Sequence, residues 1–145
     1  MCGWKSVLEK DILNGDDKTL LCHELLTEEP DMERMILKFF TEDDFREIAE
    51  RRIGRGQVGG KACGLLLSRK LIEVRMPGYL ENLEPHHSFF IGADTFEDYL
   101  ELNGCGEMQS LVASKDRTEL LEKYEGLLLG GRFSEEVREQ IGDVL

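Results

Sequence analysis

No apolar run in this chain approaches the length of a membrane span, no two cysteines form a Cys-x-x-Cys pair, and no basic block offsets the acids. Each absence closes off a class. Without a span of about 20 apolar residues, a transmembrane helix is not expected. With 18 Lys and Arg against 30 Asp and Glu, the net charge of −12 argues against nucleic acid and anionic membrane surfaces as partners. It leaves a nucleotide open, because a local basic pocket can sit within an acidic surface. Cys2, Cys22, Cys63 and Cys105 are widely spaced, and no signal peptide precedes them, so reduced thiols in a cytoplasmic protein are expected. A zinc site would require Cys22, His23, His86 or His87 to converge from distant segments, and no metal site is expected. Internal repeats and low-complexity segments are also missing.

What remains is ordinary globular material: 145 residues, 41% hydrophobic and 33% charged, one domain's worth of chain. Residues 1–29 are weakly patterned and read as an N-terminal extension, with short helices expected over 4–13 and 19–26. Pro30 suits the first turn of a helix, and Met32, Met35, Ile36, Phe39 and Phe40 follow at helical spacing as a core stripe. Thr41 with Asp44 signals the N-cap of a helix running to Arg52, with Phe45, Ile48 and Ala49 inward. Residues 88–91 are the best strand candidate, with a partner expected near Gln57-Val58 or within 109–112. Asp94 with Glu97 predicts a capping box for a helix stopped by Asn103-Gly104. A helix over 116–129 and a last one capped by Ser134 complete an α+β reading: a mostly helical single domain with a small antiparallel sheet.

The chemistry concentrates in residues 54–67. Gly54, Gly56, Gly59 and Gly60 allow positive φ and a close approach of the backbone to another molecule. Lys61 follows at once, and the sequence turns helical. A glycine loop feeding a helix aims free N–H groups and the positive end of the dipole at one point, the physics of a phosphate site. Arg51, Arg52, Arg55 and Lys61 make this the densest basic cluster in the chain. The standard motifs fit poorly. The dinucleotide fingerprint lacks a preceding β-branched strand, since residues 47–52 read as the end of a charged helix. A Walker A loop would need glycine at Arg55 and Ser or Thr at Ala62. A turn between two helices with an exposed lysine is the plainer alternative. Beyond the loop, Cys63, Leu66, Leu67, Leu71 and Val74 make one apolar helix face, which marks Cys63 as a core residue rather than a nucleophile. Gly64, one turn past Lys61, leaves the other face bare; a glycine inside a helix costs ~1 kcal/mol against alanine.

Val58-Gly59-Gly60-Lys61-Ala62, followed by a leucine-rich helix, resembles the start of the nucleotide-binding domain of pyruvate phosphate dikinases and phosphoenolpyruvate synthases. Arg51-Arg52-Ile53-Gly54 and Phe90-Ile91-Gly92-Ala93-Asp94-Thr95-Phe96 resemble a bacterial branch of PEP/pyruvate-binding domain proteins. The resemblance runs from about Pro30 onward, so residues 30–145 are expected to be part of a dikinase-type nucleotide-binding domain, its first lobe. It implies an ATP-grasp fold, a phosphotransferase activity and ATP as the ligand, with magnesium in the complete domain. It carries the phosphate-contacting role to Lys61, with Gly59, Gly60, Gly56 and Arg55 beside it as cofactor-binding residues; no catalytic residue is assigned. Many members carry asparagine where Gly64 stands. Relatives continue into an arginine- and serine-rich strand, a phosphohistidine domain and a PEP/pyruvate barrel. Further domains or a partner chain are therefore expected to complete the pocket, and the chain alone is not expected to turn over ATP. The alternatives from other classes are a non-catalytic interaction or structural domain, and a small-molecule or anion sensor using the loop alone.

Overall fold

Asn14 opens the first well-formed helix by a reciprocal cap, its side chain accepting from the Asp17 N–H at 2.9 Å while Asp17 accepts from the Asn14 N–H at 3.1 Å. The computed structural model describes residues 3–84, 87–108 and 117–145. Its elements run α1 (Gly3–Leu8), α2 (Gly15–Leu25), α3 (Pro30–Phe39), α4 (Glu42–Glu50), β1 (Arg52–Ile53), α5 (Gly60–Arg75), a 3₁₀ helix (Pro77–Asn82), β2 (Phe90–Ile91), α6 (Asp94–Leu102), α7 (Arg117–Gly130) and α8 (Glu135–Val144). The chain is mostly helical and divides into two compact units, Met1–Gly92 and Ala93–Leu145.

Local chemistry sets the helix starts of the first unit. Pro30 stands in the first turn of α3, and the Glu29 carboxylate accepts from the N–H groups of Asp31 and Met32. Thr41 and Asp44 form the expected capping box on α4. These helices pack Leu21, Leu25, Ile36, Phe45, Ile48, Cys63 and Leu67 into one core. The stretch expected to be a weakly patterned extension belongs to that core: Val7, Leu13, Leu21, Cys22, Leu25 and Leu26 are all buried in it. Helix α2 packs against α1, α3 and α4, and buries Asp17, Leu21, Cys22 and Leu25.

The sheet was expected to be antiparallel and is parallel, with Arg52 opposite Phe90 and Ile53 opposite Ile91. The reason is topological. Helix α5 lies between the two strands in sequence, and such a crossover returns the chain in the same direction. The partner of 90–91 is therefore the segment before the glycines, not Gln57-Val58; residues 109–112 lie outside the described residues. Gly92 continues the pairing, its N–H donating to the Ile53 carbonyl at 2.9 Å.

In the second unit, α6 begins one residue earlier than a cap at Asp94 would place it. Ala93 already has helical φ and ψ and carries no side-chain cap, so Asp94 sits in the first turn. The other end follows expectation. Gly104 takes φ 72°, the Cys105 N–H reaches the Leu100 carbonyl at 2.7 Å, and the Gly104 N–H reaches that of Glu101 at 3.2 Å. Ser134 caps α8 through the Val137 N–H. Among the described residues, no helix is long and apolar enough to cross a membrane.

Candidate functional site

The glycine loop occupies residues 54–59, between β1 and α5. Gly54, Gly56 and Gly59 have φ of 75°, 80° and 83°. An L side chain resists that region, so three glycines in six residues are a backbone requirement. Helix α5 starts at Gly60 with Gly59 as N-cap; no side chain caps it, and its first turn holds no acid. Its first-turn amides are thus not neutralised by a carboxylate, and Gly59, Gly60 and Lys61 are exposed. Lys61 lies at the N-terminal end of a helix beside the glycines, as the sequence predicts.

The loop is braced by α2. The last carbonyls of that helix have no intrahelical partners, and three consecutive ones take donors from the loop region. Gln57 Nε2 donates to the His23 carbonyl at 2.8 Å, Arg52 Nη1 to that of Glu24 at 3.1 Å, and the Val58 N–H to that of Leu25 at 2.9 Å. Arg52 Nη1 also donates to the Gly56 carbonyl at 2.9 Å, and its guanidinium stacks 4.7 Å from the Trp4 ring centroid. This separates the basic cluster into two kinds. Arg52 ties the loop together, and Arg51 pairs with Glu47 at 2.7 Å. Arg55 and Lys61 are the exposed pair.

A second brace comes from Gly92, which sequence reasoning did not single out as part of the site. A Cβ built there would lie 1.8 Å from the Arg55 carbonyl oxygen and 2.5 Å from its carbon. Only glycine lets the outgoing end of β2 sit against the loop at Arg55. The Phe90-Ile91-Gly92 run carried the hint, since a glycine following a strand marks close backbone approach.

Within α5, Cys63 is fully buried and Leu67 nearly so, while Val74 is 49% exposed, against its expected place on the apolar face. Lys70 is buried in its stead. Its ammonium lies 2.9 Å from Asp44 and 3.1 Å from Glu73. Burial alone would lower its pKa, but the bonds from those two carboxylates raise it above the ordinary lysine value. Burial pushes the Cys63 thiol up, and pushes Cys22 up to about 12, with Glu33 and Cys63 adding to the effect. Both thiols are poor nucleophiles for that reason. An alanine Cβ at Gly64 would meet nothing within 4 Å, so the bare face beyond Lys61 is open space. Among the described residues, no group of three or more Asp, Glu, His or Cys side chains is placed to hold a metal ion; His86 lies outside them.

Comparison of the chain with protein-family profiles, with curated proteins and with solved structures returned no match.

Proposed function

We propose that residues 54–64 bind the phosphates of a nucleotide, and that the chain is the front lobe of an ATP-binding phosphotransferase domain of the dikinase type that Gly59-Gly60-Lys61-Ala62 resembles. One observation carries this reading: α5 opens from the positive-φ glycines with an exposed lysine in its first turn and no acid to compete. Lys61, Arg55 and the N–H groups of Gly56, Gly59 and Gly60 would neutralise and orient a phosphate, which is electrostatic work rather than covalent chemistry. The first turn of α5 supplies no carboxylate for magnesium. Magnesium would therefore arrive with ATP and be held by groups beyond this loop.

The test is a titration of the chain with magnesium and ATP while following its amide resonances. Two charge-assisted hydrogen bonds at roughly 1.5–3 kcal/mol each support a Kd on the order of millimolar. Shifts confined to residues 56–64, abolished in Lys61→Ala, are the expected result. Micromolar binding or phosphate release would mean a complete site and overturn the front-lobe reading. A second reading, an interaction domain that retains the fold, is favoured by the exposed Tyr79, Leu80, Phe89 and Ile91. Amides at 56–64 that ignore both ATP and inorganic phosphate would transfer the conclusion to it.

A further inference from the structure

We infer that the first unit holds a second binding pocket, for a small zwitterion with an apolar side chain, the class of the free apolar α-amino acids. A cavity of about 260 Å³ is lined by Phe40, Ile48, Leu66 and Phe90, and by the charged side chains of Asp44, Glu47, Arg51, Arg69, Lys70 and Glu73. It shares no residue with the glycine loop. Its volume falls just below the ~300–1,000 Å³ of pockets for drug-sized ligands, which suits a single amino acid and not a nucleotide.

The arrangement of charge selects the ligand. Three carboxylates and three cations line the cavity, so a ligand with net charge of either sign gains little. The pairing within them is uneven. Glu47 pairs with Arg51 at 2.7 Å, whereas Asp44 and Glu73 share the Lys70 ammonium. Asp44 also accepts from the Thr41 N–H and hydroxyl, so Glu73 is the carboxylate with acceptor capacity left. Arg69 is the opposite case: its Nη2 donates to the neutral Glu84 carbonyl at 3.0 Å, and no carboxylate pairs with it among the described residues. A guanidinium with one carbonyl partner retains donors for a carboxylate. Arg69 and Glu73 lie one turn apart on α5 and both line the cavity, so the free donors and the free acceptor are neighbours on one helix face. One α-amino acid, with its ammonium and carboxylate on a single carbon, matches that spacing. Its carboxylate pairs with Arg69 and its ammonium with Glu73. Phe40, Ile48 and Phe90 are buried and Leu66 half-buried, which gives its side chain an apolar wall.

The whole chain, isotopically labelled, is titrated with L-leucine and L-phenylalanine, and with 4-methylpentanoate and 3-methylbutylamine as analogues lacking one charge each. The expected result is a set of amide shifts over 44–51, 66–73 and 90, with a Kd on the order of millimolar and each analogue at least tenfold weaker. Arg69→Gln, with an unchanged far-ultraviolet spectrum, weakens leucine at least tenfold and leaves 3-methylbutylamine unaffected. Leu66→Phe, which fills the apolar part, weakens phenylalanine more than leucine. Neither amino acid shifting these amides, the carboxylate analogue binding as tightly as leucine, or leucine binding unchanged in Arg69→Gln would each overturn the inference. Shifts from ATP fall at 56–64, so failure here leaves the phosphate loop standing.

Discussion

Among the described residues, the two units are held by different means. Met1–Gly92 closes around a dozen or more apolar side chains from helices α1 to α5, with Phe45, Leu21, Leu25, Leu26 and Ile36 essentially sealed from water. In Ala93–Leu145 the buried cluster among the described residues is Leu100, Cys105 and Tyr124. Polar clasps do much of the joining there. Asn103 Nδ2 donates to the Arg132 carbonyl at 3.0 Å and its Oδ1 accepts from the Arg132 N–H at 2.8 Å, while the Tyr99 hydroxyl donates to the Leu128 carbonyl. Tyr99 also stacks on Phe133 at 4.7 Å. Apolar burial is non-directional and tolerant of small shifts, whereas a clasp of hydrogen bonds demands geometry and is lost at once. The candidate loop belongs to the first unit, whose core is the larger one among the described residues.

The comparison can be broken most directly at Phe45. Truncating it to alanine removes a fully buried ring that packs 5.9 Å from Phe40. It is expected to destabilise the first unit by ~3–5 kcal/mol. Trp4 is the sole tryptophan, so its emission in a urea titration reports this unit; a loss under about 1 kcal/mol would show that the core is looser than described. Gly92→Ala comes next, at roughly 1–3 kcal/mol, because the new Cβ meets backbone at Arg55 rather than a movable side chain. Its amide shifts should spread through 54–59, and a variant with unchanged loop resonances would remove the brace from the account. Asn103→Ala tests the clasp. Loss of both bonds to Arg132 should lower the melting of the second unit by about 1–3 kcal/mol without altering Trp4 emission.

A smaller effect separates the units by pH. Burial pushes the Cys22 thiol from its ordinary 9.0 up to about 12. A folded pKa raised above the unfolded one gives stability that is complete below pH 9.0 and lost as pH climbs toward 12. Lys70, also raised, adds a loss that starts only above 10.5. Alkaline unfolding of the first unit should therefore begin near pH 9, and Cys22→Ala should delay that onset. Equal pH dependence in Cys22→Ala and the unaltered chain would exclude Cys22 as the cause. Least of all, Lys61→Ala should leave stability within ~0.5 kcal/mol, since Lys61 is exposed; thermal unfolding checks it.

The features legible in the sequence were those fixed within a few residues. Thr41 with Asp44, Pro30, Ser134 and Asn103-Gly104 act on neighbours, and each is found where its chemistry puts it. The position of Lys61 in the first turn of α5 was legible for the same reason. Lys70 was not, because its burial depends on Asp44, which lies on another helix. Nor was β1: two residues make too short an alternation to register, and Arg52 looks like helix until its partner Phe90 is known. The role of α2 was hidden as well. Its carbonyls, not its side chains, hold Gln57, Arg52 and Val58, and every residue type has a carbonyl.

The parallel rungs between β1 and β2 also impose a sequence of events on folding. A turn of α4 or α5 can close among near neighbours, but Arg52 and Phe90 cannot meet until the whole crossover between them has been laid down. Such non-local pairing forms slowly, since loop closure must precede any gain from it. The loop lies between β1 and α5, and Gly92 presses on it only after β2 has docked. Its glycines therefore reach their final angles among the last steps. The helices of the first unit can thus form before the glycine turn takes its angles, and the turn is a mark of a chain that has finished.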